Sequence, residues 1–238
     1  MSFDRLIEKI AALQNPTVAG LDPKLSYIPE HIKKEAFALH GRTLVGAAAA
    51  ILTYNRGLID ALAPIVPAVK PQAAYYEMYG WPGMRVLAET IRYARSKGMF
   101  VITDGKRNDI GATMEAYAAA HLGATEIEGK TEEAFGADAL TVNGYLGSDG
   151  IRPLLQVCAE RDKGIFVLVK TSNASSGELQ DQQLEGGNTV YRAMGDFCEE
   201  WGRELPGRFG YSGVGAVVGA TYPAQLGELR AALPAPVV

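Results

Sequence analysis

One pattern repeats along the 238 residues: a short apolar run, one or two polar residues, a loop, then a helix-like stretch. The apolar runs are Thr17–Leu21, Ile65–Val69, Met99–Ile102, Ala137–Val142, Gly164–Val169 and Gly213–Val218. Each is short enough for a strand buried on both faces. Between them, helical spacing predicts Ser2–Leu13, then His31–Leu39 and Arg42–Leu62 split at Gly41, then Gln72–Tyr79 and Met84–Ser96. Further helices are expected over Ile110–Leu122, Asp149–Glu160, Thr189–Glu204 and a stretch reaching Leu233, with a short one near Thr131–Phe135. Lys24–Pro29 and Asn173–Gly187 read as loops, and the final Ala-Pro-Val-Val opens one more strand. Apolar strands alternating with helices predict a parallel sheet with right-handed crossovers. Units of roughly 30–45 residues fit a single TIM (β/α)8 barrel domain over residues 1–238 better than a doubly wound sheet. No G-x-G-x-x-G follows a strand, so a dinucleotide fold has no positive support.

Composition narrows the function classes. The chain is 47% hydrophobic and 21% charged, with a formal net charge of −4 and its Lys and Arg dispersed, so no nucleic-acid surface is indicated. Cys158 and Cys198 form neither a CxxC nor a metal spacing, which reads as two inert thiols in a reducing cytoplasm. The N-terminus is an amphipathic helix start rather than a signal peptide. Ala47–Leu52 is apolar, but Tyr54, Asn55 and Arg56 end it far short of a membrane span. His31, His40 and His121 all lie in helical stretches and read as surface or core residues. No metal cluster, nucleophile elbow or P-loop is present in the sequence.

The polar residues gather at strand ends: Asp22, Lys70, Asp104 with Lys106, Asn143, Lys170 with Ser172, and Thr221. In a barrel those ends share the rim where active sites form. The densest stretch is 98–113, where a buried run ends in Asp104, Lys106 and Asp109. On an extended chain residues two apart share a face, so Asp104 and Lys106 are expected to point the same way. The bland reading is a surface ion pair with Asp109 as a helix N-cap. The functional reading adds Lys70 to make an alternating cation–anion array. Such an array suits a reaction that forms and then protonates a carbanion, because an ammonium supplies both the field and the proton.

Asp104-Gly-Lys106-Arg-Asn-Asp109-Ile-Gly-Ala-Thr113 resembles the D-x-K-x-x-D-I-G-x-T signature of orotidine 5′-phosphate decarboxylases. Supporting stretches are similar to one bacterial branch of that family, type 2: Val-Ala-Gly-Leu-Asp22-Pro, Val-Lys70-Pro-Gln-Ala-Ala-Tyr-Tyr-Glu, Thr-Val-Asn143-Gly-Tyr-Leu-Gly, Lys-Thr-Ser172-Asn and Val-Val-Gly-Ala-Thr-Tyr-Pro. The resemblance covers nearly the whole chain in order. It implies a cofactor-free, metal-free cytoplasmic TIM-barrel enzyme, normally a homodimer, that converts orotidine 5′-monophosphate to UMP and CO2 in pyrimidine synthesis. It also implies roles. Lys106 protonates C6 of the pyrimidine, Asp104 faces the departing carboxylate, and Lys70 completes the network and contacts the ribose. Asp109 and Thr113 reach the neighbouring subunit's site, with Thr113 on a ribose hydroxyl. Asp22 binds the ribose and Ser172 the base amide.

The sequence departs from the family pattern in two places. Asn143-Gly144-Tyr145 stands where the branch commonly has Asn-Pro-Tyr. Family members also continue past Val238, so the end of strand 7 and all of unit 8 are expected to be absent, and with them the phosphate-binding arginine. The expectation is an intact catalytic array with severely reduced activity. The competing readings are a Mg²⁺-dependent sugar-phosphate decarboxylase or aldolase of the same superfamily, and an inactive nucleotide-binding barrel fragment.

Overall fold

The computed structural model describes residues 2–238. In chain order its elements begin α1 (Ser2–Leu13), β1 (Val18–Leu21), α2 (Glu30–His40), α3 (Leu44–Leu62), β2 (Ala68–Pro71), α4 (Ala74–Glu77), α5 (Gly80–Ser96) and β3 (Phe100–Arg107). They continue α6 (Gly111–His121), β4 (Thr125–Ile127), β5 (Lys130–Glu132), β6 (Ala139–Val142), α7 (Ser148–Arg161) and β7 (Gly164–Lys170). The last are α8 (Gly177–Gln180), α9 (Val190–Gly202), β8 (Val214–Val218) and α10 (Pro223–Ala232). Contacts divide the chain into two compact units: Arg5–Gly105 with Ala120–Asp138, and residues 2–4 with Lys106–Ala119 and Ala139–Val238.

In the first unit β1, β2 and β3 pair in parallel, with Val18 opposite Ala68 and Ala68 opposite Phe100. Val69, Val101 and Leu21 are fully buried, as continuous apolar runs in a parallel sheet require. α2, α3 and α5 pack together around Ile51, Ile59, Leu87 and Ile91. The expected break at Gly41 is real: its φ is +69°, a conformation that glycine adopts without steric cost. Thr43 then caps α3, its hydroxyl accepting the Gly46 N–H at 3.1 Å. α5 begins at Gly80 rather than at Met84. Gly80 has φ +62° and restarts the helix, and Pro82 falls in the first turn, where no intrahelical N–H partner is needed.

Two buried polar devices tie this unit together. Asn55 Nδ2 donates to the Tyr76 hydroxyl at 2.8 Å and to Thr90 Oγ1 at 3.1 Å, linking α3, α4 and α5. Burial pushes the Tyr76 phenol far above its ordinary range, so it stays a neutral hydrogen-bonding group. Asp138 is 2% exposed, accepts the Val101 N–H at 2.9 Å and pairs with Arg5 at 3.1 Å.

The helix expected near Thr131–Phe135 is not formed. β4 and β5 make an antiparallel hairpin there, with Thr125 opposite Glu132 and Ile127 opposite Lys130. Glu128 (φ +48°) and Gly129 (φ +85°) form its two-residue turn, and positive φ at both positions is what such a hairpin demands. The x-Gly pair set between Thr125 and Ile127 on one side and Thr131 on the other is the signal for it.

In the second unit β6, β7 and β8 pair in parallel, Ala139 opposite Gly164 and Ile165 opposite Val214. α7 and α9 lie against this sheet. Phe3 stacks on Phe166 at 4.8 Å, over Gly164, where a Cβ would come within 2.4 Å of the Phe3 ring. Beyond α10, Ala235 and Val237 accept the N–H groups of Ser212 and Ala216, each at 2.8 Å. These bonds run beside β8, but the strand expected at Ala-Pro-Val-Val is not formed. The expected loop Asn173–Gly187 holds a 3-10 turn over Ala174–Ser176 and then α8. A second such turn, Leu25–Tyr27, lies within Lys24–Pro29.

Two predictions follow from the packing. A Cβ at Gly83 would sit 1.9 Å from the Tyr76 carbonyl oxygen, whereas one at exposed Gly57 in α3 meets nothing within 4 Å. Gly83→Ala is expected to destabilise by about 1–3 kcal/mol through overpacking, and Gly57→Ala to stabilise by about 0.5–1 kcal/mol through helix propensity. Urea melts of both variants check this, and equal midpoints would contradict it. Burial pushes the thiols of Cys158 and Cys198 up to about 12 each. At pH 8 the thiolate fraction is then on the order of 10⁻⁴, so iodoacetamide should leave both untouched in the folded chain and modify both in denaturant. Mass spectrometry reads the outcome.

Candidate active site

The first unit holds Asp22, Lys70 and Asp104 of the expected site, just past β1, near the end of β2 and in the C-terminal half of β3. Parallel pairing brings these ends level, because every strand leaves the sheet at the same edge. Asp104 is 6% exposed, and a carboxylate so placed needs partners. Lys70 Nζ lies 2.5 Å from its Oδ2, and Gln72 Nε2 donates to the same oxygen at 2.9 Å. The backbone repeats the connection, with the Ala73 N–H donating to the Asp104 carbonyl at 3.1 Å. Lys70 keeps about a third of its side chain exposed, so the pair is buried on the acid side and open on the ammonium side. Gln72 was not anticipated from the sequence. Its signal was available: it stands two residues after Lys70 on the same extended segment, and so on the same face.

Asp22 is exposed at the end of β1, and its carbonyl accepts the Lys24 N–H at 2.9 Å in a tight turn. Beside it, Lys24 lies 5.4 Å from the Tyr27 ring and 5.6 Å from the Tyr75 ring. These two phenols hold the Lys24 ammonium above its ordinary range, Tyr75 more strongly.

The second unit holds Lys106, Asp109, Thr113 and Ser172. Lys106 is exposed and has φ +47°, a region that non-glycine residues enter at a cost of about 1–3 kcal/mol. The Lys106 N–H donates to Thr141 Oγ1 at 3.0 Å, which helps hold that conformation. The expectation that strand alternation aims Asp104 and Lys106 alike therefore lacks its premise. The left-handed backbone at Lys106 sets the direction of its side chain. Thr141 is the second residue missed, and nothing local in the sequence marks it, since the two positions lie 35 residues apart.

Asp109 does not cap α6 in the ordinary way. Its Oδ1 accepts the N–H of the next residue, Ile110, at 2.9 Å, and the helix starts at Gly111 with φ +51°. Ile110 (53% exposed) and Thr113 both face solvent. Asn143 ends β6 and accepts the Tyr145 N–H at 2.9 Å, closing the Gly144 turn. Ser172 is exposed, two residues past the end of β7, and Thr221 is exposed before α10.

Among the described residues, no group of three or more His, Cys, Asp or Glu side chains is arranged to hold a metal ion. Among the same residues, no helix is long and apolar enough to cross a membrane. His121 is a core residue, stacked on Phe135 at 4.9 Å. The first unit offers a buried carboxylate with a lysine ammonium on it, and the second, by itself, a lysine held at a strained turn. That chemistry suits charge stabilisation and proton delivery rather than nucleophilic attack.

The model of the orotidine 5′-phosphate decarboxylase / HUMPS family matches residues 52–232. The orotidine 5′-phosphate decarboxylase of Rhodopirellula baltica is 46% identical over 218 residues, covering 92% of this chain and 70% of the relative. That of Caldicellulosiruptor bescii is 40% identical over 231 residues, covering 97% of this chain and 75% of the relative. Among solved structures, Leishmania donovani OMP decarboxylase superposes with a TM-score of 0.76 at 31% identity, covering 99% of this chain and 77% of that one. The fold class is the α/β TIM barrel of these relatives. With its signature stretch on β3 and relatives of this closeness across nine-tenths of its length, the chain belongs to the orotidine 5′-phosphate decarboxylase family.

Proposed function

We propose that this chain decarboxylates orotidine 5′-monophosphate to UMP and CO2 without a cofactor, as a step of pyrimidine synthesis. The observation that carries the reading is the buried Asp104 carboxylate, paired with Lys70 and Gln72, at the start of the family signature. In the reaction the C6–carboxylate bond breaks, its electron pair stays on C6, and CO2 leaves. The Lys106 ammonium then donates its proton to C6, giving UMP and a neutral amine that solvent reprotonates. Asp104 stands where the carboxylate departs, and Lys70 balances its charge and reaches the ribose. Asp22 holds the ribose and Ser172 the base. A fixed field of this kind acts where charge develops, without reorganising during the step.

The reading takes residues 1–238 as one barrel domain that works in the cytoplasm as a homodimer, with Asp109 and Thr113 serving the neighbouring site. Its support is the exposure of Ile110 and Thr113 at the start of α6, an apolar and a hydroxyl side chain presented together to solvent.

Two experiments test this. The fall in pyrimidine absorbance on adding orotidine 5′-monophosphate should be seen with the chain and be unaffected by chelator. Lys106→Ala should lower kcat by roughly 10²–10⁴, the usual worth of a positioned proton donor. Loss of activity with chelator alone would argue for the Mg²⁺-dependent relatives. For the shared site, Lys106→Ala and Asp109→Ala protomers are each expected to be inactive and their mixture to recover roughly a quarter of wild-type activity. Half of the statistically mixed two-fold dimers then carry one complete site. No recovery on mixing would place Asp109 in its own subunit's site.

A further inference from the structure

The segment after β7 carries Ser172, and at its root stands a lysine that the proposed mechanism does not use. Lys170 is fully buried, which is costly for an ammonium unless its donors are satisfied. Its Nζ donates to Asp181 Oδ1 at 2.6 Å and to Ser176 Oγ at 3.3 Å. The same ammonium lies 4.6 Å from the centroid of the Tyr222 ring and 5.6 Å from that of Tyr191. The Ser176 hydroxyl in turn donates to the Tyr222 hydroxyl at 3.2 Å. One cation thus gathers β7, the turn at Ala174–Ser176, the end of α8, and the residues that open α9 and α10.

A second hold lies just before Ser172. The Thr171 N–H donates to Gln180 Oε1 at 2.9 Å, and Gln180 Nε2 donates to Thr171 Oγ1 at 2.7 Å. Gly219 backs the same spot: a Cβ there would come within 2.8 Å of the Ser172 backbone, and the Gly219 N–H donates to the Lys170 carbonyl at 2.7 Å. Ser172 is therefore exposed but gripped on both sides. Lys170 is itself too deeply enclosed to touch a substrate, so it is a positioning residue.

We propose that Lys170, locked by Asp181 and Ser176, clamps the segment after β7 so that Ser172 is presented to the pyrimidine base. This rests on the proposed decarboxylase reading. A well-packed apolar side chain would fill the same volume without the desolvation cost, so the charge is of use only where it holds a particular loop geometry.

The test is a mutant cycle in the full chain: Asp181→Asn, Ser172→Ala and the double variant, with kcat, KM, thermal midpoint and proteinase K cleavage within 171–188 measured for each. Asp181 is about half exposed and an amide oxygen in its place can still accept from Lys170 Nζ, so the variant should fold, though less stably. Asp181→Asn is expected to raise KM about tenfold, lower the thermal midpoint because the buried Lys170 ammonium loses its counter-charge, and speed cleavage of the segment. The double variant should have the KM of Ser172→Ala alone, because contacts acting through one group do not add. Lys170→Met should show the same coupling to Ser172→Ala. KM effects that multiply, or an unchanged KM and cleavage rate in Asp181→Asn, would overturn the clamp. Absence of wild-type turnover would instead sink the decarboxylase reading, while the cleavage rates still report on the clamp.

Discussion

Parallel strand pairing is the constraint on which the rest depends. Two parallel strands cannot be joined by a tight turn, so each must be followed by a crossover that returns the chain to the far edge. Every strand in such a sheet then releases its C-terminal residues at one edge, whatever the crossover contains. In one unit this levels Asp22, Lys70, Gln72 and Asp104, and in the other Asn143, Lys170, Ser172 and Gly219. The strands spend most of their residues on burial, Val69, Val101, Leu140 and Val167 being fully enclosed, and carry their charged residues in or just past their C-terminal halves.

At those edges the molecule handles charge in two ways. Asp104 is buried and its partner Lys70 is partly open, so the anion is fixed and the cation retains solvent contact. Lys170 reverses this, with a buried cation and a half-exposed Asp181. In both cases a lone buried charge would be costly, and hydrogen bonds from Gln72 or to Ser176 complete the pairing. The first arrangement leaves a lysine accessible for a ligand. The second leaves none, and its effect falls on the loop it holds.

Much of this was legible in the residues. The apolar runs marked all six parallel strands, Gly41 marked the break between α2 and α3, and the strand-end polar residues marked the candidate site. What local patterns could not reveal were partners distant in sequence. Asp138 closes on Val101 from 37 residues away, and Thr141 on Lys106 from 35. The hairpin at Thr125–Glu132 replaces the helix expected near Thr131–Phe135 for another reason, since Glu128-Gly129 turn chemistry outweighs the helical content of its polar residues.

By itself the sequence determined the order and type of nearly every element, because hydrophobic period and glycine or proline punctuation act over a few residues. It also marked candidate ionisable groups, Asp104, Lys106 and Asp109 in the signature stretch and Lys70 near the end of β2. The tertiary structure alone decided how those groups are held. The left-handed turn at Lys106, the second donor that Gln72 brings to Asp104, and the enclosure of Lys170 by Asp181, Ser176 and Tyr222 depend on neighbours brought in by packing. A side chain's direction and its electrostatic surroundings are set by atoms far along the chain, and no window of local sequence contains them.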